Sequence, residues 1–201
     1  MRIHSGEARG RLLKTVDGKG TRPTDSRSRE TLFNLLGERV IDARFLDLYA
    51  GTGSVGLEAL SRGASSCIFV EQNAGACRVI RENVRVLGFR EQCQVWQTPV
   101  KSALFQMREA EEKAETSLAE SEARRFDIVF ADPPFSRDAE LAALCSLLDK
   151  SARLLHNEGK RFEGLLVIQH HRREKPQLEA FVAERERRAG ESLLSFFQPK
   201  R

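Results

Sequence analysis

The sequence predicts an α/β fold, a largely parallel sheet covered by helices on both faces. Three observations predict it. Short apolar runs recur at 45–50, 67–70, 126–131 and 165–168. Amphipathic segments of helical spacing separate them. A glycine-rich turn follows the first run directly at Gly51, and a proline-rich turn follows the third at Asp132. Apolar runs of this kind mark strands buried on both faces, and helical crossovers between them make neighbouring strands parallel.

The elements follow in order. Residues 1–30 carry eight Lys or Arg against four Asp or Glu and almost no aromatic residue. They are poor core builders and read as a basic arm over 1–24, a hairpin plus a mobile link, in front of a main domain over 25–201. Asp25 or Ser26 can cap a helix whose Leu32, Phe33, Leu35 and Leu36 share one face, with Gly37 ending it. The strand at 45–50 leads to a helix from Ser54 to Arg62, stopped at Gly63. A second strand at 67–70 ends at Glu71, and a helix over 74–87 closes at Gly88. Residues 94–96 form a short third strand, 126–131 a fourth and 165–168 a fifth, and 192–197 a final strand. Residues 109–124 contain six glutamates and a thin apolar stripe. They read as a helix extension or a charged, mobile insertion.

Composition narrows the class. A chain of 201 residues with 40% hydrophobic and 31% charged residues fits one ordinary globular domain. The net charge of +4 suits a polyanionic partner without demanding one. Cys67, Cys77, Cys93 and Cys145 form no CxxC pair, and His4, His156, His170 and His171 complete no zinc pattern. Reduced, buried thiols and no metal are expected. No apolar run approaches the ~18 residues of a membrane span, and the first ten residues lack a signal-peptide core. The expectation is a soluble, cytoplasmic protein.

Two motifs carry chemistry. In Gly51-Thr52-Gly53-Ser54-Val55-Gly56 the glycines allow a tight turn and close approach of a ligand to the main chain. Glu71 lies 20 residues after Gly51 at the end of the next strand, where a carboxylate can accept bonds from ribose hydroxyls. The pattern is shared with dinucleotide-binding turns. Asp47, four residues before Gly51, favours S-adenosylmethionine, because it can face an ammonium and has no use toward a pyrophosphate.

The second motif is Asp132-Pro133-Pro134-Phe135. Ligands of doubly wound sheets bind at the carboxyl ends of strands, so this turn is expected in the same cleft as the glycine turn. Two prolines fix the backbone and keep its carbonyls out of a helix. The Asp132 carboxylate and the Pro133 carbonyl are acceptors, and Phe135 is a flat apolar surface. These parts suit methylation of an aromatic amine, whose lone pair is delocalised into its ring. Two acceptors gripping its N–H groups favour pyramidal nitrogen, and stacking on Phe135 holds the ring at about 1–3 kcal/mol per base.

Together, DLYAGTGSVGLEALSRGA, IFVE and FDIVFADPPF resemble class I methyltransferases that modify exocyclic amines. With RIHSGEARGRLLKT, TRPTDSRSRETLFNLL and ESLLSFFQ added, the chain resembles the RsmD-type enzymes that make N2-methylguanine in bacterial 16S ribosomal RNA. The resemblance runs through nearly the whole chain except 109–124. It implies a Rossmann-like, seven-stranded sheet with the last strand antiparallel. It implies S-adenosyl-L-methionine as cofactor, held by Asp47, Tyr49, Gly51, Thr52, Gly53, Glu71, Gln72, Thr98 and Pro99. It implies a target-amine site at Asp132, Pro133, Pro134 and Phe135. It implies 16S rRNA, a small ribosomal subunit or an assembly intermediate as partner, with Arg9, Arg11, Arg22, Arg27 and Arg29 touching RNA.

Three departures stand out. Gln97-Thr98-Pro99-Val100 replaces the usual segment with an adenine-binding aspartate, and Thr98 is the available substitute. Phe135 stands where Tyr is common. Gln169-His170-His171 replaces an acid followed by one His, with His170 a candidate to face the cleft. The alternatives are a DNA adenine or cytosine amine methyltransferase, a protein-glutamine methyltransferase, an NAD-binding oxidoreductase and a catalytically inactive RNA-binding module. A DNA enzyme would need a further recognition domain, and the oxidoreductase lacks a candidate hydride-transfer acid or base.

Overall fold

Seven strands, β1 (Arg44–Leu48), β2 (Ser66–Glu71), β3 (Cys93–Gln97), β4 (Ile128–Ala131), β5 (Leu165–His171), β6 (Phe181–Ala189) and β7 (Ser192–Pro199), form one mostly parallel sheet in the order β3-β2-β1-β4-β5-β7-β6, the seven-stranded arrangement with its last strand antiparallel that the resemblance implies. The computed structural model describes residues 1–15, 26–114, 125–134, 138–155 and 162–200. The chain divides into two compact units, Met1–Pro99 and Val100–Arg201.

In the first unit, α1 (Ser26–Leu36) buries Leu32, Phe33 and Leu36 on one face. Gly37, at φ +53, turns the chain out of it. Asp25, the other candidate cap, lies outside the described residues. β1 (Arg44–Leu48), β2 (Ser66–Glu71) and β3 (Cys93–Gln97) pair in parallel. Between them run α2 (Ser54–Ser61) and α3 (Ala74–Leu87). Phe45, Leu46, Leu48, Phe69 and Val70 are fully buried. Each such side chain contributes roughly 1.5–3 kcal/mol of transfer free energy, which sets the register of the strands that carry the turns. α3 is framed by its own residues. Asn73 Oδ1 accepts from Ala76 N at 2.9 Å, and Gly88, at φ +86, closes the helix in the left-handed region.

Residues 1–15 depart from the expected poor core builder. They double back, with Arg2 bridged to Leu12, and bury Ile3, Ala8 and Leu13. Polar side chains of α2 and α3 receive them. Glu58 accepts from His4 N at 2.8 Å and Ser5 N at 3.0 Å, and the Ser61 hydroxyl donates to Ser5 O at 2.6 Å. Asn83 accepts from Lys14 N at 2.9 Å and donates to Lys14 O at 3.1 Å. Residues 16–24, the rest of the expected arm, lie outside the described residues.

In the second unit, α4 (Val100–Ala114) carries the helix into the glutamate-rich stretch, and residues 115–124 lie outside the described residues. β4 (Ile128–Ala131) pairs in parallel with β5 (Leu165–His171), and α5 (Asp138–Lys150) precedes β5 in the chain. β6 (Phe181–Ala189) and β7 (Ser192–Pro199) form a hairpin, and β7 pairs antiparallel with both β5 and β6. A two-residue connection with Gly190 first, at φ +64, suits such a hairpin. β6 occupies the sheet edge, and its run of Glu184 to Arg188 is the charged composition that keeps an edge from pairing with another chain. No helix among the described residues is long and apolar enough to cross a membrane.

Candidate active site

The carboxyl ends of β1, β2 and β3 bring the predicted cofactor residues of the first unit together. The register pairs Leu48 with Val70 and Glu71 with Gln97, so Tyr49, Glu71 and Thr98 emerge from one end of neighbouring strands. The chain then turns sharply. Tyr49 sits at φ +59, Gly51 at φ +54 and Gly53 at φ +78. A tyrosine in the left-handed region costs on the order of 1 kcal/mol or more, the kind of strain found where a site demands it.

The two glycines of the turn do different work. A Cβ on Gly53 would stand 3.0 Å from Ile80 Cγ1, so its lack of a side chain lets the turn press onto α3. A Cβ on Gly51 would meet nothing within 4 Å among the described residues, which leaves room for a ligand beside its main chain. Further on, a Cβ on Gly56 would stand 2.4 Å from Phe69 Cε1 and 2.6 Å from Cys67 Sγ, so α2 lies against β2 with no room for a side chain.

Two carboxylates brace the turn. Glu71 Oε2 accepts from Gly51 N at 2.9 Å, and Oε1 accepts from Asn73 N at 2.7 Å. Asp47 is 1% exposed, and its Oδ2 accepts from Gly56 N at 2.9 Å. Burial, followed by the Asp47 carboxylate and Cys93, pushes the Cys67 thiol well above its ordinary range, so it packs as a neutral group. Thr52 is buried, whereas Gln72 and Pro99 are exposed. Thr98 N donates to Glu71 O at 3.1 Å, which ties the loop after β3 to the end of β2.

These residues fit S-adenosyl-L-methionine. An ionised carboxylate has about four acceptor positions, so Glu71 can hold the two amides and still receive ribose hydroxyls. The open main chain at Gly51 suits the methionine portion.

In the second unit, Asp132, Pro133 and Pro134 follow β4 as irregular chain, with Asp132 half-buried, Pro133 buried and Pro134 exposed. Asp132 Oδ2 accepts from Gln169 Nε2 at 3.2 Å. Phe135 lies outside the described residues. His170, expected as a candidate to face the cleft, is fully buried, with Nε2 2.8 Å from Ser195 Oγ and Nδ1 3.0 Å from His171 O. Among the described residues no group of His, Cys, Asp and Glu is arranged to hold a metal ion.

A family profile described as conserved hypothetical protein 95 matches residues 1–198. The chain is 34% identical to the ribosomal RNA small subunit methyltransferase D of Escherichia coli K12 over 167 residues, 83% of this chain and 72% of that one. The chain belongs to the RsmD-type methyltransferase family. It is also 36% identical to the YlbH protein of Bacillus subtilis, over 86% of this chain and 83% of that one. Among solved structures, the yhhF protein of Escherichia coli superposes with a TM-score of 0.74 at 29% identity, covering 100% of this chain and 98% of that one. The Thermus thermophilus protein TTHA0928 gives a TM-score of 0.74 at 34% identity, covering 98% of each.

For a member of the RsmD-type family the arginines matter next. Arg9, Arg11 and Arg27 are exposed, and Arg22 lies outside the described residues. Arg29 corrects the expectation of a surface phosphate ligand, for its side chain is 0% exposed. It donates to Arg2 O at 2.6 Å and Met1 Sδ at 2.9 Å, and pairs with Glu58 Oε2 at 3.5 Å. Its guanidinium also faces His4 Nε2 at 3.1 Å. A guanidinium only donates, so Nε2 is the acceptor of this contact. Arg29 anchors the first residues of the chain. The partners that bury it, Glu58 and the main chain of Arg2, are far away in the sequence or carry no side-chain signal, so an arginine in a basic stretch reads as a surface residue.

Proposed function

We infer that this chain transfers the methyl group of S-adenosyl-L-methionine to the exocyclic N2 amine of a guanine in 16S ribosomal RNA. The observation that carries this reading is the Asp132-Pro133 corner at the end of β4, with its carboxylate held by Gln169. Family membership supports the wider class, since the Escherichia coli relative is named a small subunit rRNA methyltransferase.

The corner accounts for the chemistry. The Asp132 carboxylate and Pro133 carbonyl accept the two N–H groups of the amine, which releases its lone pair from the ring. Phe135 stacks on the base and limits its tilt. When bound, the cofactor supplies a methyl electrophile on a sulfonium leaving group. On transfer to nitrogen, with the sulfonium as leaving group, the surplus amine proton would pass to Asp132 or to water. No protein nucleophile is needed, and alignment supplies much of the rate, since good positioning is worth about 7–11 kcal/mol.

For the cofactor, Glu71 receives the ribose hydroxyls and Thr98 lies on the adenine side. Tyr49, Gly51, Thr52, Gly53, Gln72 and Pro99 line the remainder. Asp47 acts through the turn that it braces. Residues 1–24 serve as the RNA-contacting arm of the methyltransferase domain over 25–201, with Arg9, Arg11, Arg22 and Arg27 on phosphates. RNA is read by sequence mainly at unstacked bases, so the target guanine is exposed or flipped. A small subunit or its assembly intermediate is the natural substrate.

Mass spectrometry of small-subunit rRNA nucleosides tests the activity. Cells lacking this protein should lose one N2-methylguanosine, and the purified protein should restore it. An unchanged N2-methylguanosine level overturns the reading. The cofactor assignment has its own test. Glu71→Ala should weaken S-adenosylmethionine binding by about tenfold or more, as removal of a charge-assisted hydrogen-bond acceptor implies. Equilibrium dialysis giving the wild-type dissociation constant would reject the ribose role.

A further inference from the structure

Gln169 stands beside Asp132 and is only half used. In the parallel register Ala131 pairs with Ile168, so the next residue on each strand, Asp132 and Gln169, share one face of the sheet. Gln169 is 4% exposed. Its Nε2 donates to Asp132 Oδ2 at 3.2 Å. A carboxylate only accepts, so the amide has to turn its NH2 toward Asp132, and its oxygen is thereby assigned. That oxygen, Oε1, is buried and has no hydrogen-bond partner among the described residues. Native proteins leave few buried acceptors unpaired. The neighbouring His170 is bonded at both ring nitrogens, so the unpaired oxygen is particular to Gln169 and not a feature of the strand end.

We propose that Gln169 is the specificity residue of this site, its NH2 holding the Asp132 carboxylate while Oε1 accepts the ring N1–H of the target guanine. The proposal rests on Asp132 being the amine acceptor. A guanine presents its N2 amine next to N1–H, two donors side by side. In adenine the amine adjoins N1, and in cytosine it adjoins N3, and each of these ring nitrogens is an acceptor. Adjacent acceptors at Asp132 and Gln169 match the guanine edge, and Oε1 would oppose a lone pair on either of the others. Gln169 thus positions the carboxylate and selects the base, and takes no part in the transfer of the methyl group.

The test compares small subunits whose rRNA carries guanine or 2-aminopurine at the methylated nucleotide. 2-Aminopurine keeps the exocyclic amine and has a lone pair in place of N1–H. Wild-type protein should methylate guanine about tenfold faster or more, because a site built around a hydrogen bond rejects an analogue that lacks it. Gln169→Met should slow guanine methylation and bring the ratio near one, with S-adenosylmethionine affinity unchanged. A wild-type ratio in Gln169→Met overturns the proposal. If Gln169→Met is unfolded or inactive on both bases, Gln169→Glu decides. It places a like charge beside Asp132 and should be poorly active at neutral pH. Its protonated carboxyl restores one donor and one acceptor, so its guanine preference should return as pH falls, while wild type shows no such recovery. Absence of that recovery overturns the proposal. Failure of the underlying reading looks different, because wild-type protein would then methylate neither base.

Discussion

Asp132→Ala is expected to abolish methyl transfer while leaving S-adenosylmethionine affinity within about tenfold of wild type. The carboxylate stands at the end of β4 with one oxygen bonded to Gln169 Nε2. Its proposed partner is the amine, and the cofactor residues belong to other strands, so the loss should fall on turnover. Removing one preorganised group that stabilises developing charge costs on the order of 10²–10³ in rate. Asp132 also directs the lone pair, which makes the larger figure the fitting one. Single-turnover assays on small subunits, paired with calorimetric titration of the cofactor, separate the two quantities. Unchanged turnover would remove Asp132 from its role, and a collapse of cofactor affinity would reassign it.

Glu58→Ala should produce the largest loss of stability. Glu58 is 0% exposed and accepts from His4 N, Ser5 N and, at 2.8 Å, Arg62 Nε, besides its pairing with Arg29. Truncation leaves the fully buried Arg29 without its carboxylate. Breaking a buried pair on one side costs about 3–5 kcal/mol. For a protein of this size each kcal/mol moves the melting temperature by roughly 2–4 °C, so a fall of about 10 °C is expected by calorimetry. Glu58→Gln keeps the shape and should lose less. A melting temperature within about 2 °C of wild type for Glu58→Ala would show that the network contributes little.

The parts of this protein that were legible in its sequence are those where one local pattern decides. Phe45, Leu46 and Leu48 form an apolar run that has no alternative to a buried strand, and Asn73 and Gly88 frame α3 by their own chemistry. The glycine turn and Glu71 were legible because their spacing is set by one crossover, and they meet through a bond from Gly51 N to Glu71. β6 was missed. Its sequence FVAERERRA buries only its two ends, so no apolar alternation marks it as a strand, and its pairing comes from β7. Arg29 and Glu58 were missed for another reason. They lie 29 residues apart, and a buried ion pair at that separation has no local signature. Gln169 was visible only as an unusual residue at a strand end. Its placement beside Asp132 depends on the β4–β5 register.

The docking of residues 1–15 onto α2 and α3 bears on how the polypeptide folds as it is made. His4, Ser5, Ala8 and Lys14 find their sockets at Glu58, Ser61 and Asn83, 53 to 69 positions later. Closing a loop of that length carries an entropic cost that only the finished α2–α3 surface offsets. This segment can therefore be fully seated only after residue 83 has been translated and α3 has formed. Residues 1–15, made before α2 and α3, are seated after both.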